Sequence, residues 1–251
     1  MYGYGYRYNS GLVVGAGGGA PFLNTYSLDF DGVDDFVSTG LDLSFATVPN
    51  LSISYWIKTD TTLTNFASYF PIGVNVSYAG GVYNYSAGRL YKTGTGLVVL
   101  IQGSGSSNGS TALNDGNWHH IIQTYSDNGN NTSRVRIYVD GNTTPEADLA
   151  STLSFAPLTS NLFIGARNAS ADRGFPGSVD EVCILDRVVT PTEIVTLSTA
   201  PTVDLTSLNP IAWYRNGDGD VYPTITDNGS GGNNGTMTNM DAGDIVSDIP
   251  L

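Results

Sequence analysis

The chain reads as an all-β protein, an antiparallel jelly-roll β-sandwich with one short helix near residues 191–197, and three observations say so. Apolar runs are short and β-branched or aromatic, and they alternate with polar residues. Gly, Asn and Asp clusters separate them at close intervals. Only 13% of the 251 residues are charged, while Thr, Ser, Asn, Gly and Tyr are abundant, so little sequence is left for amphipathic helices.

Residues 1–22 form an N-terminal arm in which Tyr2, Tyr4, Tyr6 and Tyr8 alternate before a glycine run. Tyrosines bury a large amphipathic surface at low side-chain entropy cost, so they are the candidate anchors of a docking arm. Residues 23–199 carry the strands. Tyr26 to Phe30, Asp35 to Ser38 and the long alternation Leu51 to Lys58 come first. Thr59 to Ala87 is less regular. Arg89 to Lys92 and Leu97 to Gln102 pair around Thr93-Gly94-Thr95-Gly96. The Asn114-Asp115-Gly116-Asn117 turn leads into Trp118 to Tyr125, and Arg134 to Val139 is closed by Asp140-Gly141-Asn142. Leu162 to Ala166 and Ser178 to Leu185 finish the series. Thr190-Pro191-Thr192-Glu193 then gives an N-cap and a proline at the first helical position. Residues 200–251 form a C-terminal extension expected to pack on the sandwich or on a neighbouring subunit.

A formal charge of −13 sets nucleic-acid phosphates aside as partners. No apolar run reaches the ~20 residues of a membrane span, and the N-terminus lacks signal-peptide character. The single cysteine, Cys183, allows no intrachain disulfide and reads as a small core residue.

The segments Ser27-Leu28-Asp29-Phe30-Asp31-Gly32, Ile53-Ser54-Tyr55-Trp56-Ile57-Lys58, Trp118-His119-His120-Ile121, Arg136-Ile137-Tyr138-Val139-Asp140-Gly141, Leu162-Phe163-Ile164-Gly165-Ala166 and Gly177 to Arg187, in this order, resemble the laminin G-like branch of the concanavalin A-like lectin/glucanase superfamily. The resemblance covers roughly residues 26 to 198. It implies two curved antiparallel sheets that carry, in various members, a sugar, protein or calcium site.

Glycosidases of that superfamily need two carboxylates on one strand face. Strict alternation would put Asp180 and Glu181 on opposite faces, with Val179, Glu181, Cys183 and Leu185 sharing one, and no other glutamate is paired in sequence. The chain is therefore read as a non-enzyme. His119 and His120 also face opposite ways, one packed and hydrogen-bonded, the other exposed. Calcium, the one cofactor expected, takes hard oxygen ligands, and two loops offer them: Asp31, Asp34 and Asp35, and Asp218 and Asp220. The second resembles the start of an EF-hand loop but has Val221 at the sixth position and ends in Asp227. Candidate sugar-stacking aromatics are Tyr78, Tyr83, Tyr85 and Tyr91, in irregular, Asn-containing sequence.

These features lead to a structural protein of a bacteriophage virion, a capsid decoration or a tail or fibre component, made in the host cytoplasm. Its expected partners are other virion proteins, further copies of itself and a host-surface glycan. An exported bacterial carbohydrate-binding or adhesion module is the alternative, and a glycoside hydrolase ranks third.

Overall fold

The computed structural model describes residues 23–44, 48–61, 68–77, 84–87, 89–93, 96–101, 107–128, 130, 132–152, 154 and 159–250. Two antiparallel sheets face each other. The first runs in the spatial order Ala147–Ser151, Ser133–Val139, Trp118–Asp127, Asn50–Lys58, Pro176–Leu185, Ser27–Asp31 and Ile245–Val246, and Ala212–Tyr214 also pairs with Pro176–Leu185. The second runs Thr224–Ile225, Gly235–Thr238, Phe36–Ser44, Thr159–Ile164, Ile72–Ser77 and Asn84–Ala87. A smaller sheet holds Ser68–Tyr69, Leu90–Thr93, Gly96–Ile101 and Ser107–Asn108.

Alternation decides what each strand buries. On Asn50–Lys58, the residues Leu51, Ile53, Tyr55 and Ile57 enter the core between the sheets, where they join Ile121, Val179 and Ile184. The opposing sheet contributes Val37, Leu41, Ile72, Leu162, Ile164 and Met237 to the same core. Each such aliphatic side chain withdrawn from water stabilises the fold by about 1.5–3 kcal/mol.

The even-numbered residues of Asn50–Lys58, Trp118–Asp127 and Ser133–Val139 face outward, as do Cys183 and Leu185 on the closing strand. Some meet a second, smaller core made by Ile122, Tyr138, Cys183, Leu185, Val189, Ile194, Leu197, Leu205 and Trp213. The helix Pro191–Leu197 lies here. Its Thr190 side chain accepts from the Glu193 amide while Glu193 reaches back to the Thr190 amide, a complete capping box. Ile194 and Leu197 are its buried positions. Cys183 is fully buried in this cluster, and burial pushes its thiol above the usual range.

The C-terminal extension is woven into both sheets. Ala212–Tyr214 pairs with Val182 to Ile184, Ile245–Val246 pairs with Ser27 and Leu28, and Gly235–Thr238 pairs with Phe36 to Thr39. The stretch read as less regular holds the strands Ser68–Tyr69, Ile72–Ser77 and Asn84–Ala87. Among the described residues no helix is long and apolar enough to cross a membrane.

The closing strand Pro176–Leu185 departs from the sequence expectation at one point. Its register against Asn50–Lys58 shifts between Asp180 and Cys183, and Glu181 has φ +47°. This is a β-bulge, in which one extra residue resets the alternation. Val179 and Val182 both enter the main core, whereas Cys183 and Leu185 face the second one. Asp180 and Glu181 therefore lie together on the outer side instead of on opposite faces. Upstream on this strand Gly177 is at φ +141°, and a Cβ there would stand 2.3 Å from the Lys58 carbonyl oxygen. Only glycine lets the strand pass so close.

Candidate functional site

A cleft of about 370 Å³ opens on the outer face of the first sheet, lined by Trp56, Lys58, Gly116, Asn117, Trp118, Asp248 and Ile249. Sheet register builds it. Trp118 stands opposite Lys58 and His120 opposite Trp56, and side chains of like parity on paired strands share a face. The turn before Trp118 brings Asn117. Asp115 accepts from both the Asn117 backbone N–H (2.8 Å) and its Nδ2 (2.9 Å), and these two bonds hold its carboxyl down at about 2.

The polar side of the cleft centres on Asp248. It accepts from Lys58 Nζ at 2.6 Å and from Trp118 Nε1 at 3.1 Å, while its own carbonyl accepts from Ser27 Oγ at 2.5 Å. Partial burial opposes ionisation, yet Lys58 and Trp118 keep the carboxyl below its usual range. Trp56, 8% exposed, is the deeper indole, and it packs on the His120 ring with centroids 5.0 Å apart. Trp118 is the more open of the two.

Neither histidine is exposed, which corrects the expectation for one of them. His120 is buried, bonds Ser54 Oγ at 2.8 Å, and is pushed down to about 3 by desolvation. His119, 8% exposed, is held between Asp140 (Nδ1 to Oδ2, 2.9 Å) and Asp115 (Nε2 to Oδ1, 3.2 Å). The Asp140 hydrogen bond raises its pKa above 6.5 against partial burial.

Asp180 and Glu181 are 0% and 1% exposed. Glu181 Oε2 accepts from Trp213 Nε1 at 2.6 Å and Oε1 from Arg215 Nε at 3.4 Å. Burial raises the Glu181 carboxyl to about 7 in spite of these donors, and burial likewise pushes the Asp180 carboxyl well above its usual range, with Glu181 adding repulsion. The bulge places the two carboxylates side by side, but no substrate bond can approach groups sealed beneath Trp213 and Arg215.

Asp31, Asp34 and Asp35 do come together: one carboxylate oxygen from each lies within 4.8 Å of the others. Asp35, 6% exposed, is pushed up to about 6 by desolvation and by the charges of Asp31, Asp244 and Asp34, against a hydrogen bond from the Asp31 amide. Asp218 and Asp220 do not join a comparable group among the described residues. Asp218 accepts from the Thr25 amide with both oxygens, and Asp220 accepts from the Gly217 and Thr226 amides. Asp227 accepts from the Trp213, Gly229 and Asn233 amides. These carboxylates organise their loop through backbone donors.

Tyr2, Tyr4, Tyr6, Tyr8, Tyr78 and Tyr83 lie outside the described residues. Tyr85 and Tyr91 are placed by backbone alone, Tyr85 opposite Val76 and Tyr91 opposite Ser68 and Val98. The aromatic residues that do form a cleft were missed. The sequence signal for them was the parity shared by Trp56 and Lys58 and by Trp118 and His120 on two neighbouring strands.

A two-sheet antiparallel sandwich of this order is a lectin-like domain. Residues 31–195, about two thirds of the chain, match the family described as the Concanavalin A-like lectin/glucanases superfamily, and the chain belongs to it. Among solved structures it is similar to a Bacteroides ovatus protein assigned to carbohydrate binding, with TM-score 0.57 and 18% identity over 87% of this chain and 59% of that one. A heptameric SAP-like pentraxin from Limulus polyphemus gives TM-score 0.47 at 13% identity, over 70% of this chain and 82% of that one. The Rattus norvegicus "Sushi, von Willebrand factor type A, EGF and pentraxin domain-containing protein 1" is 24% identical over 196 residues, 75% of this chain. The chain spans only 5% of that protein's length.

Proposed function

We propose that this domain is a non-enzymatic carbohydrate-binding module and that the cleft of Trp56, Lys58, Asn117, Trp118 and Asp248 is its sugar site. One observation carries this: an open cleft of about 370 Å³ in which two indoles stand beside an amide, an ammonium and a carboxylate. A pyranose has an apolar face that suits an indole and hydroxyls that suit such polar groups, and a few fixed polar groups in an aromatic-lined recess are what a small-ligand site requires. The test is a glycan array probed with the full chain, rich in bacterial cell-surface glycans. Retention of at least one glycan, lost in Trp118→Ala, supports the reading; retention of none defeats it.

The setting proposed for the module is a bacteriophage particle, with other virion proteins and further copies of the chain as partners. The observation favouring it is the arm in which Tyr2, Tyr4, Tyr6 and Tyr8 precede a glycine run, a composition suited to docking. Capsid, portal or tail genes beside this one, and the chain in purified particles by mass spectrometry, are the expected results. Its absence from particles would favour a bacterial adhesion module. Calcium at Asp31, Asp34 and Asp35 belongs to the same proposal, supported by the approach of three carboxylates.

A further inference from the structure

His119 stands where the end of the first sheet meets the turn that forms one rim of the cleft. Each of its ring nitrogens faces a carboxylate: Nδ1 lies 2.9 Å from Asp140 Oδ2, and Nε2 lies 3.2 Å from Asp115 Oδ1. Asp140 belongs to the hairpin that closes Ser133–Val139, and its other oxygen accepts from the His120 amide at 2.9 Å. Asp115 belongs to the turn before Trp118 and is exposed.

An ionised carboxylate has only acceptors to offer, so both contacts require a hydrogen on the ring. A neutral imidazole carries one N–H and satisfies one of the two, turning a lone pair toward the other, whereas the imidazolium carries two and satisfies both. The carboxyls themselves stay charged. Asp115 is held at about 2, chiefly by its bonds from Asn117, and Asp140, against the burial that opposes ionisation, is lowered by His119 and the His120 amide. The proton that decides this array therefore sits on His119.

Other charged groups bear on it less. Ile57 stands opposite His119 on the strand Asn50–Lys58, and Lys58 is turned to the outer face, where it bonds Asp248. Asp60, in the chain leaving that strand, lies beside Gly116. His120 bonds Ser54 and is pushed down to about 3, so it is neutral here.

When the ring loses its proton, the Asp115 contact is the one to let go. It is the longer of the two and the more open to water, while Asp140 is also locked by the His120 amide. Asp115 moves as a unit with Asn117, from whose N–H and Nδ2 it accepts at 2.8 and 2.9 Å, and Asn117 lines the cleft. The backbone of the turn stays attached through the Gly116 N–H, which donates to the Thr59 carbonyl at 3.1 Å.

We propose that His119 is a positioning residue of the cleft: as the imidazolium it ties Asp115, and through it Asn117, to the end of the sheet, and on losing its proton it loosens this rim, so that the cleft holds its ligand less tightly. The binding half of this inference rests on the reading of the cleft as a sugar site; the positioning half does not. The His119 pKa is raised above 6.5, first by Asp140, so the tied form persists past that value and affinity falls on the alkaline side.

The experiment has two arms on the isotope-labelled full chain. The first follows the His119 ring resonances and the Asn117 side-chain amide by NMR from about pH 5 to about pH 9 with no glycan present. The expected result is an Asn117 amide that titrates with the His119 midpoint and no longer does so in His119→Gln. Asp115→Asn, at an exposed position where the fold is not at risk, should lower the His119 midpoint. An Asn117 amide indifferent to the His119 midpoint, or a midpoint unmoved by Asp115→Asn, overturns the proposal. The second arm runs the glycan array about one unit below and about one unit above that midpoint. Retention should fall roughly two- to tenfold across it, the scale of one hydrogen bond, and stay level in His119→Gln. Glu181, raised to about 7, and Asp180, which stands across from Trp56, also titrate on this side of the sheet, and the variant leaves both in place. Retention that rises with pH, or falls equally in His119→Gln, overturns the binding half. An array empty at both pH values defeats the sugar-site reading instead, and the Asn117 titration still decides the positioning.

Discussion

Trp118 and Asp248, 130 positions apart, are joined by a hydrogen bond of 3.1 Å from the indole Nε1 to Oδ1. That bond fixes the indole at the mouth of the cleft while leaving its faces to pack against a ligand. Trp118→Ala should therefore weaken binding of a retained glycan by roughly 30-fold, the scale of a lost aromatic hot spot, about 2 kcal/mol. Its melting temperature should hardly move, because Trp118 is only partly buried at the surface of the sheet and surface substitutions usually stay within about 0.5 kcal/mol. Titration calorimetry and a thermal melt of the same sample check both halves.

The Lys58–Asp248 pair, 2.6 Å apart with side chains 32% and 47% exposed, is a positioning device more than a source of stability. A double-mutant cycle of Lys58→Ala and Asp248→Ala should give a coupling of only about 0.2–1 kcal/mol, smaller still in high salt. A coupling above about 2 kcal/mol would show that the pair is drier than its exposure indicates.

A pH signature is expected from His119. Its pKa is raised in the folded state, chiefly by Asp140, so its contribution is complete below the unfolded value of 6.5 and is lost as pH rises through the folded value. His120, buried and pushed down, acts in the opposite sense below that range, while the raised carboxyls of Asp35 and Glu181 act in the same sense as His119. Comparing wild type with His119→Gln cancels these other groups. The difference in melting temperature should be largest near about pH 5.5 and shrink toward about pH 8.5. A difference that grows with pH would contradict the assignment.

Thr190→Ala removes the hydroxyl of the capping box and should cost about 0.5–2 kcal/mol. Leu197→Ala, from the fully buried end of the same helix, should cost more, about 2–5 kcal/mol. Urea unfolding of the two variants orders them.

Much of this fold was legible in the chain. Alternation located Asn50–Lys58, Trp118–Asp127 and Ser133–Val139 to within a residue or two, because each strand buries one face in a continuous core. Thr190, Pro191 and Glu193 announced the helix through local capping chemistry. The site was less legible. Period-2 reasoning separated Asp180 from Glu181, and nothing about a glutamate announces the positive φ that brings them together. Trp56 and Trp118 become neighbours only through strand register, and Asp248 reaches them because Ile245–Val246 pairs with Ser27 and Leu28. Those are long-range relations, set by pairing instead of by local pattern.

The central claim, a sugar site at the paired indoles, is tested most directly by following the indole N–H resonances of Trp56, Trp118 and Trp213 while a retained glycan is added. Saturable shifts at Trp118 and Trp56, with Trp213 unmoved, are the predicted result. Shifts absent from both cleft indoles while the glycan still binds would place the site elsewhere on the domain and contradict it.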